Sequence, residues 1–539
     1  MFGCFGIFIF DFLGIQSKIM EKIKIYDTTL RDGMQTEGIT FSLEDKLLIA
    51  KRLDGLGVDY IEGGYAASNP KEMQFFKDAA GLGLKNSRLA AFGSTHRADT
   101  KPADDISINS IITCKTPVAT LVGKAWDMQV ETVLGCSLDR NLQICADSVK
   151  YLKSKGLEVI FDAEHFFDGF RDNPEYAAKV LEAVCGAGAD VLVLCDTNGG
   201  TLPEEIFNIT KTIFKKFGKI EIGIHTHNDS DCAVANSLAA VQAGARHIQG
   251  TINGLGERCG NANLCSVIPN LAIKMGFDVL VPDKLKQLTE VSRYIFEIAN
   301  LSPVINMPYV GESAFAHKAG LHVDALRKNR RTYEHIDPAV VGNERRFLIS
   351  ELSGKSNILA ELEKSKIAGD KKLAGRILDE VQRLENEGYQ FEAANASFEL
   401  LVRKVMGTYK PFFELIKYNT SVVKHASGEM FTEATVKLKV AGNVEHQVGE
   451  GDGPVDALDA AIQKSLGKFY PSISDIHLID YKVRVVNAGA GTAARVRVNI
   501  QFRDKDSFWG TVGCSENIIE ASWQALIDGV EYKLQKDIR

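Results

Sequence analysis

The feature that most constrains the fold is an alternation of short apolar runs with amphipathic helical stretches from residue 23 to about 252. Helical stretches such as Leu43 to Leu56 and Pro174 to Gly186 separate several of the runs. Strands joined through helices lie parallel, and eight such units fit a closed barrel better than an open sheet. The sequence therefore predicts an α/β protein with a (β/α)8 TIM barrel. The predicted strands are IKIYD, VDYIEGG, RLAAFG, VATLVG, LEVIFDAE, DVLVLCD, IEIGIHTH and HIQGTING.

An unpatterned tail precedes the barrel, and two further segments follow it. The first 15 of residues 1–21, MFGCFGIFIFDFLGI, are mostly apolar, but Asp11 interrupts them well short of the roughly 20 residues that a membrane span needs. We therefore expect a disordered tail or a start-site artefact, and no association with a membrane. Residues 22–290 form the predicted catalytic barrel, and residues 291–411 form helical connector subdomains. Residues 412–539 form a separate α+β domain.

The last domain contains an internal repeat. VDALDAAI at 455–462 matches IEASWQAL at 519–526, and the same offset of 64 residues (455 to 519) takes Gly449 to Gly513. Two related modules, each made of strands and one helix, would pack their helices on the apolar faces of two small sheets. Because this domain shows no cluster of acids, bases or metal ligands, we expect it to serve regulation or dimerisation.

The charge balance excludes one class of partner. The chain has 63 Lys and Arg residues against 70 Asp and Glu residues, a net charge of -7, so no global positive field would hold nucleic acid. Ten cysteines are scattered without a C-x-x-C pair, which argues against a zinc knuckle or a dithiol redox site. We interpret them as reduced thiols of a cytoplasmic enzyme.

Polar side chains cluster where two predicted strands end. Strand one runs into D-T-T-L-R-D-G at 27–33, and strand seven ends in H-T-H-N-D at 225–229. Alternate residues of a strand share a face, so His225 and His227 point together into the barrel mouth, where the active residues of such barrels lie. With Asp32 they offer two nitrogens and one oxygen to a divalent cation. The alternative is a pair of polar residues that merely ends a strand.

A glycine-rich stretch, N-G-L-G-E-R-C-G-N at 253–261, follows strand eight and either brings backbone close to a ligand or makes a tight turn. Together with D-T-T-L-R-D-G and H-T-H-N-D, it resembles the acyl-CoA-condensing branch of the HMG-CoA lyase-like barrel superfamily. That branch includes the 2-isopropylmalate, homocitrate and citramalate synthases. FDAEHFFDGF and VLCDTNGGTLPEEI resemble the bacterial citramalate synthases, and GDGPVDALDAAI resembles the regulatory domain of isopropylmalate synthases.

The resemblance implies a metal-dependent condensation of acetyl-CoA with pyruvate and hydrolysis of the thioester to citramalate and CoA, as a step towards isoleucine. It also implies Mg²⁺ or Mn²⁺, with Zn²⁺ as the alternative, isoleucine as a feedback effector, and a homodimer. Arg31 would stabilise the developing alkoxide, and His322, oriented by a carboxylate, would act as acid or base. The implied metal ligands are Asp32, His225, His227 and Asn261; the implied catalytic residues are Arg31, Glu164 and His322; the implied substrate contacts are Arg31, Thr197 and Tyr333.

Several alternatives remain open from the sequence. A 2-isopropylmalate or homocitrate synthase would keep these residues and differ only in pocket size. A lyase of the same barrel would cleave the carbon bond, and a noncatalytic regulator would bind a metabolite without chemistry. For His322, in the connector, the alternative to an acid or base role is that it caps a helix or lies on the surface. The basic pair Arg330 and Arg331 would meet either CoA phosphates or solvent.

Overall fold

The computed structural model describes residues 21–281, 283–349, 354–364, 367, 369–486 and 494–538. Of the tail predicted for residues 1–21, residues 1–20 lie outside this description. The chain divides into two compact units. The first contains the described residues up to Phe315 together with Asp337–Glu344, and the second contains Ala316–Ile336 and the chain from Arg345 onward. No helix among the described residues is both long and apolar enough to cross a bilayer.

The first unit is built on a closed barrel of eight parallel strands, which confirms the predicted fold class. Each strand pairs with the next along the chain, and the eighth closes on the first with His247 opposite Lys24. The strands are β1 Lys24–Asp27, β2 Tyr60–Tyr65, β3 Arg88–Ser94, β4 Val118–Lys124, β5 Glu158–Glu164, β6 Val191–Asp196, β7 Glu221–Thr226 and β8 His247–Gly250.

The connecting helices begin and end where the sequence supplies caps. The Ser42 hydroxyl accepts a hydrogen bond from the Asp45 amide, and the Asp45 carboxylate accepts one from the Ser42 amide, so the first helix starts in a capping box. Both helices predicted from the sequence have the predicted limits. The helices are α1 Leu43–Leu56, α2 Pro70–Ala79, α3 Ile106–Thr113, α4 Asp127–Gln129, α5 Leu138–Ser154, α6 Phe166–Asp172, α7 Pro174–Gly186, α8 Pro203–Phe217, α9 Ala233–Ala243, α10 Leu264–Pro269 and α11 Leu288–Ile298.

Every second residue of the strands faces the barrel axis. The lower interior is a buried cluster with contributions from the first six strands: Tyr26, Tyr60, Ala90, Val118, Ile160, Val191, Val193 and Cys195. His247 of β8 packs against two of these rings, with centroids 5.3 Å from Tyr26 and 5.5 Å from Tyr60. Towards the carboxyl ends of the strands, polar residues occupy inward-facing positions and line the mouth of the barrel. The alternation of inward and outward residues thus positions the candidate site.

His247 is fully buried, and neither ring nitrogen has a hydrogen-bond partner. Burial, aided by the charge of Lys24, lowers the pKa of His247 from 6.5 to about 3. Between these two pKa values His247 is protonated in the unfolded chain but neutral in the folded chain. The free energy of unfolding therefore decreases as the pH falls below 6.5. We expect His247 to lower the free energy of unfolding by about 1.4 kcal/mol at pH 5.5, relative to neutral pH. The check is urea unfolding from pH 7.5 to 5.5: His247→Phe should show a smaller loss than wild type, and equal losses would contradict the prediction.

The second unit begins with a helical region. Its elements are β9 Ala316–His317, α12 Gly320–Lys328, β10 Arg346–Phe347, α13 Lys355–Lys364, α14 Lys371–Asn386 and α15 Asn395–Met406. Ile358, Ile377 and Leu401, from the last three helices, meet in one buried core. Val512, from much later in the chain, completes that core. The helical region and the end of the chain therefore stabilise each other.

The end of the chain consists of two modules of the same design, each a three-stranded antiparallel sheet followed by a helix. The predicted pair of helices on two small sheets is confirmed, but the outer strands of the first sheet, Phe413–Lys424 and Asn443–Gly451, were not predicted. In the sheets, Ala434 pairs with Gly449 and Val498 pairs with Gly513, which preserves the offset seen in the sequence. The elements are β11 Phe413–Lys424, β12 Met430–Val440, β13 Asn443–Gly451, α16 Pro454–Leu466, β14 His477–Val485, β15 Val496–Arg503, β16 Phe508–Ser515 and α17 Ile518–Asp537.

Candidate active site

A cavity of about 280 Å³ opens at the carboxyl ends of the barrel strands. Six of the predicted site residues line it: Arg31, Asp32, Glu164, Thr197, His225 and His227. They come from β1, β5, β6 and β7 or from the residues just after these strands. Strand alternation thus brings together residues that are up to 196 positions apart in the chain (31 to 227).

The predicted metal ligands form one buried group. Asp32 Oδ2 lies 3.5 Å from His225 Nε2, and the rings of His225 and His227 have centroids 5.2 Å apart. Asn261, which pairs with His227 in an isolated β-bridge, places its amide nitrogen 3.2 Å from both Asp32 Oδ2 and His225 Nε2. Gly256 allows this approach, because a Cβ there would lie 2.0 Å from Asn261 Oδ1.

Two observations bear on whether this group fits a divalent cation. Within the described part of the chain, no three His, Cys, Asp or Glu side chains already converge as a metal site. However, His227 Nδ1 and Asn261 Oδ1 are buried without a hydrogen-bond partner, although buried polar atoms normally have one. A flip of the Asn261 amide would turn its oxygen towards Asp32 and His225. The donor set of two imidazoles, a carboxylate and an amide oxygen fits a divalent cation.

The charges of the group suit cation binding. Burial opposes ionisation of Asp32, but Arg31 and the two histidines outweigh it and hold the Asp32 pKa below its ordinary value. Burial lowers the pKa of His227 to about 3, and His225 adds to the effect. At neutral pH the group therefore offers a carboxylate and a neutral imidazole, the forms that bind metals.

Gln249 and Asp162, which were not predicted from the sequence, hold His225 from behind. Gln249 Oε1 lies 2.7 Å from His225 Nδ1, and Gln249 Nε2 donates to Asp162 Oδ1 at 2.9 Å. An Nδ1–H donated to the glutamine oxygen leaves the Nε2 lone pair facing Asp32, which is the arrangement that orients a metal-binding histidine. Burial, with Glu62 nearby, raises the pKa of Asp162 well above its ordinary value.

Arg31 is fixed from three sides. Its Nε donates to Glu62 Oε2 at 2.6 Å, its Nη1 pairs with Asp32, and its guanidinium lies 4.0 Å from the centre of the Phe92 ring. Glu62, fully buried, also accepts a hydrogen bond from Tyr26 at 2.7 Å. Glu62 was not predicted from the sequence, although its place two residues after Tyr60 in β2 marks it as inward-facing.

Thr197, predicted to contact the substrate, and Glu164, predicted to be catalytic, also have defined partners. The Thr197 hydroxyl accepts a hydrogen bond from the His165 amide at 2.8 Å. Glu164 Oε2 lies 2.5 Å from the ammonium of Lys124, a residue that the sequence analysis did not single out. Both predicted residues thus have a polar partner where they line the cavity.

His322 and Tyr333 belong to the second unit. Their rings stack with centroids 3.9 Å apart. The expectation that a carboxylate orients His322 stays a prediction. Glu334, which follows Tyr333 in the chain, accepts from His317 at 3.3 Å and pairs with Arg345.

Three family models match successive parts of the chain. They are HMGL-like over residues 22–295, the homocitrate synthase post-HMGL domain-like family over 309–389, and the LeuA allosteric (dimerisation) domain over 392–534. The (R)-citramalate synthase of Aquifex aeolicus is 53% identical over 96% of this chain and 98% of its own, and that of Geobacter sulfurreducens is 52% identical over the same shares. The chain belongs to the (R)-citramalate synthase family.

Family membership bears on the alternatives left open by the sequence. A 2-isopropylmalate synthase of Methanocaldococcus jannaschii is 32% identical over 96% of each chain, far below the 53% of the Aquifex aeolicus (R)-citramalate synthase. The citramalate synthase interpretation is therefore favoured over the isopropylmalate one. The family also identifies the chain as an acetyl-CoA-dependent condensing enzyme, which argues against a noncatalytic regulator.

Proposed function

We propose that this enzyme condenses acetyl-CoA with pyruvate and hydrolyses the resulting thioester to (R)-citramalate and CoA. The observation that carries the proposal is the cavity in which Arg31 stands beside Asp32, His225 and His227, in a chain 53% identical to an (R)-citramalate synthase. The reaction requires a polarised ketone, a proton acceptor for the acetyl methyl group, and a cation near the developing alkoxide. The barrel residues and His322 offer these groups.

Asp32, His225, His227 and Asn261 would hold a divalent cation, for which we propose Mg²⁺ or Mn²⁺ with Zn²⁺ as the alternative. When bound, the cation supplies Lewis acidity towards the ketone of the 2-oxo acid. Arg31, kept charged and aimed by Glu62 and Phe92, stabilises the negative charge that develops on the ketone oxygen. The Thr197 hydroxyl, at the end of β6, binds the substrate carboxylate.

His322 transfers the proton of the acetyl methyl group in this proposal. A neutral imidazole can accept that proton, and its stacking on Tyr333 fixes the plane of the ring. Tyr333 contacts the acetyl-CoA end. Glu164 is the remaining proposed catalytic residue, and its carboxylate lines the cavity.

An assay of thiol release from acetyl-CoA tests the function directly. Purified enzyme with Mn²⁺ is offered pyruvate, 2-oxoisovalerate and 2-oxoglutarate in turn. Pyruvate should give the highest kcat/KM and (R)-citramalate as the product. A preference for 2-oxoisovalerate would instead identify a 2-isopropylmalate synthase, and a preference for 2-oxoglutarate a homocitrate synthase.

The C-terminal modules match the LeuA allosteric (dimerisation) domain, and we propose that the enzyme is a homodimer inhibited by isoleucine. An effector acts by binding one conformational state better than another, and a typical coupling changes activity about 5-fold to 150-fold. We expect isoleucine to lower thiol release of the full-length enzyme within that range. Leucine and valine are the matched controls, and equal inhibition by all three would contradict a specific isoleucine site.

We also propose domain limits and a location. The limits are 22–290 for the catalytic barrel, 291–411 for the helical connector and 412–539 for the regulatory domain. A cytoplasmic location agrees with the nine described cysteines, all of which are free thiols.

A further inference from the structure

Lys124 extends the inward-facing row of β4 beyond the residues predicted to act. The row begins with Val118 in the barrel core, continues through Thr120, which bonds Tyr26, and through Val122, which lines the metal cavity, and ends at Lys124. Lys124 and Glu164 are register neighbours at the ends of β4 and β5. Their ion pair spans 2.5 Å, and the side chains are only 19% and 26% exposed. Alternation and register thus place a cation directly against a predicted catalytic carboxylate.

Glu164 lies in the wall between two cavities. One is the cavity of the metal-binding group, and the other, of about 570 Å³, is walled in part by His96, Lys124 and Ile144. Glu164 lines both, and Lys124 approaches it from the second cavity. Lys124 therefore lies behind Glu164 as seen from the metal-binding group.

The charges around the cavity lined by Asp32, His225 and His227 explain why a cation beside Glu164 matters. Four carboxyl side chains line it, and its two guanidinium groups already have carboxylate partners: Arg31 pairs with Asp32 and Glu62, and Arg258 pairs with Asp229. A 2-oxo acid enters as an anion. A carboxylate without a counter-charge within a few ångströms would repel it, and more strongly in a partly desolvated site than in water.

We propose that Lys124 is a positioning residue that acts through Glu164, neutralising and aiming this carboxylate so that the anionic 2-oxo acid can bind. The proposal rests on the proposed function of the cavity. Without Lys124, the uncompensated charge of Glu164 would face the substrate, and its side chain could turn into the second cavity. Loss of Lys124 should weaken binding of the 2-oxo acid, because the charge of Glu164 lies in the wall of the cavity that we propose for this substrate.

The test uses the full-length enzyme with Mn²⁺ and four variants: K124M, K124R, E164Q and the double variant K124M/E164Q. For K124M we expect the KM for pyruvate to rise about 10-fold to 100-fold, as for the loss of a coupled neighbour, while the KM for acetyl-CoA changes less than about 3-fold. K124R should restore the KM for pyruvate to within about 3-fold of wild type. If Lys124 had only a structural role, K124M would not raise the KM for pyruvate while leaving the KM for acetyl-CoA nearly unchanged.

The double variant tests whether Lys124 acts through Glu164. Pyruvate binding is measured by calorimetry, because E164Q is expected to be catalytically impaired. Adding K124M to E164Q should weaken binding less than about 3-fold, since no carboxylate charge remains to be neutralised. If K124M does not fold, as judged by circular dichroism, K124Q replaces it with the same expectation.

Two results would overturn the proposal. One is an unchanged KM for pyruvate in K124M, and the other is an equal loss of pyruvate binding with and without E164Q. Failure of the proposed function would look different, because wild-type enzyme would then release thiol best with another 2-oxo acid, or with none of the three.

Discussion

Replacing His225 with alanine is expected to lower thiol release at least about 1,000-fold and to weaken Mn²⁺ binding in parallel. The imidazole stands 3.5 Å from Asp32, in the group that we propose as metal ligands, and its loss leaves too few protein ligands to hold a cation and polarise the ketone. His227→Ala should have the same effect. Calorimetric titration with Mn²⁺ and the thiol assay measure the two losses on the same protein.

A matched control is available on the other unit. His446 is exposed on β13 of the second unit, so His446→Ala makes the same chemical change outside the proposed group of metal ligands and should leave both measurements at wild-type values. If His225→Ala kept full activity after treatment with a chelator, the assignment of the metal ligands would be wrong.

The second large effect is expected for His322→Asn. Loss of a general acid or base typically costs a factor of about 100 to 10,000 in turnover. Asparagine keeps a polar side chain of similar reach but cannot take up the proton. The pyruvate KM should stay within about 3-fold of wild type, because we place pyruvate on barrel residues. Steady-state kinetics with each substrate varied in turn measures both quantities.

The exposed His425, in the turn between β11 and β12, provides the control substitution to asparagine. Normal turnover of His322→Asn with a large loss of pyruvate affinity would make His322 a binding residue instead of a proton carrier.

The alternation of strand residues was the most informative signal in the sequence. It predicted the shared face of His225 and His227, because alternate residues of a strand point to the same side, whereas the succession of strands and helices predicted the barrel. The same rule could have found Glu62 and Lys124, each two residues beyond an inward neighbour. They were missed because a single charged residue in an apolar run has no local pattern.

Other features depend on contacts that sequence spacing does not encode. The outer strands β11 and β13 expose many of their residues, so the alternation of apolar and polar residues on which strand prediction relies is weak there. The stacking of His322 on Tyr333 likewise depends on the tertiary fold, which brings together two rings that are 11 positions apart in the chain (322 to 333).

The offset of 64 residues between the C-terminal modules also says something about how such a domain can arise. Ala457 and Ala461 of α16 and Ala521 and Ala525 of α17 occupy equivalent positions and lie in one common buried core. A polypeptide with only one module would leave half of that core facing water, and it would have to find a second copy in solution at the entropic cost of association. Tandem fusion makes the encounter intramolecular and independent of protein concentration. The two halves are then free to diverge, as at Asp459 and Trp523, so a symmetric ancestor can acquire unlike surfaces without losing its core.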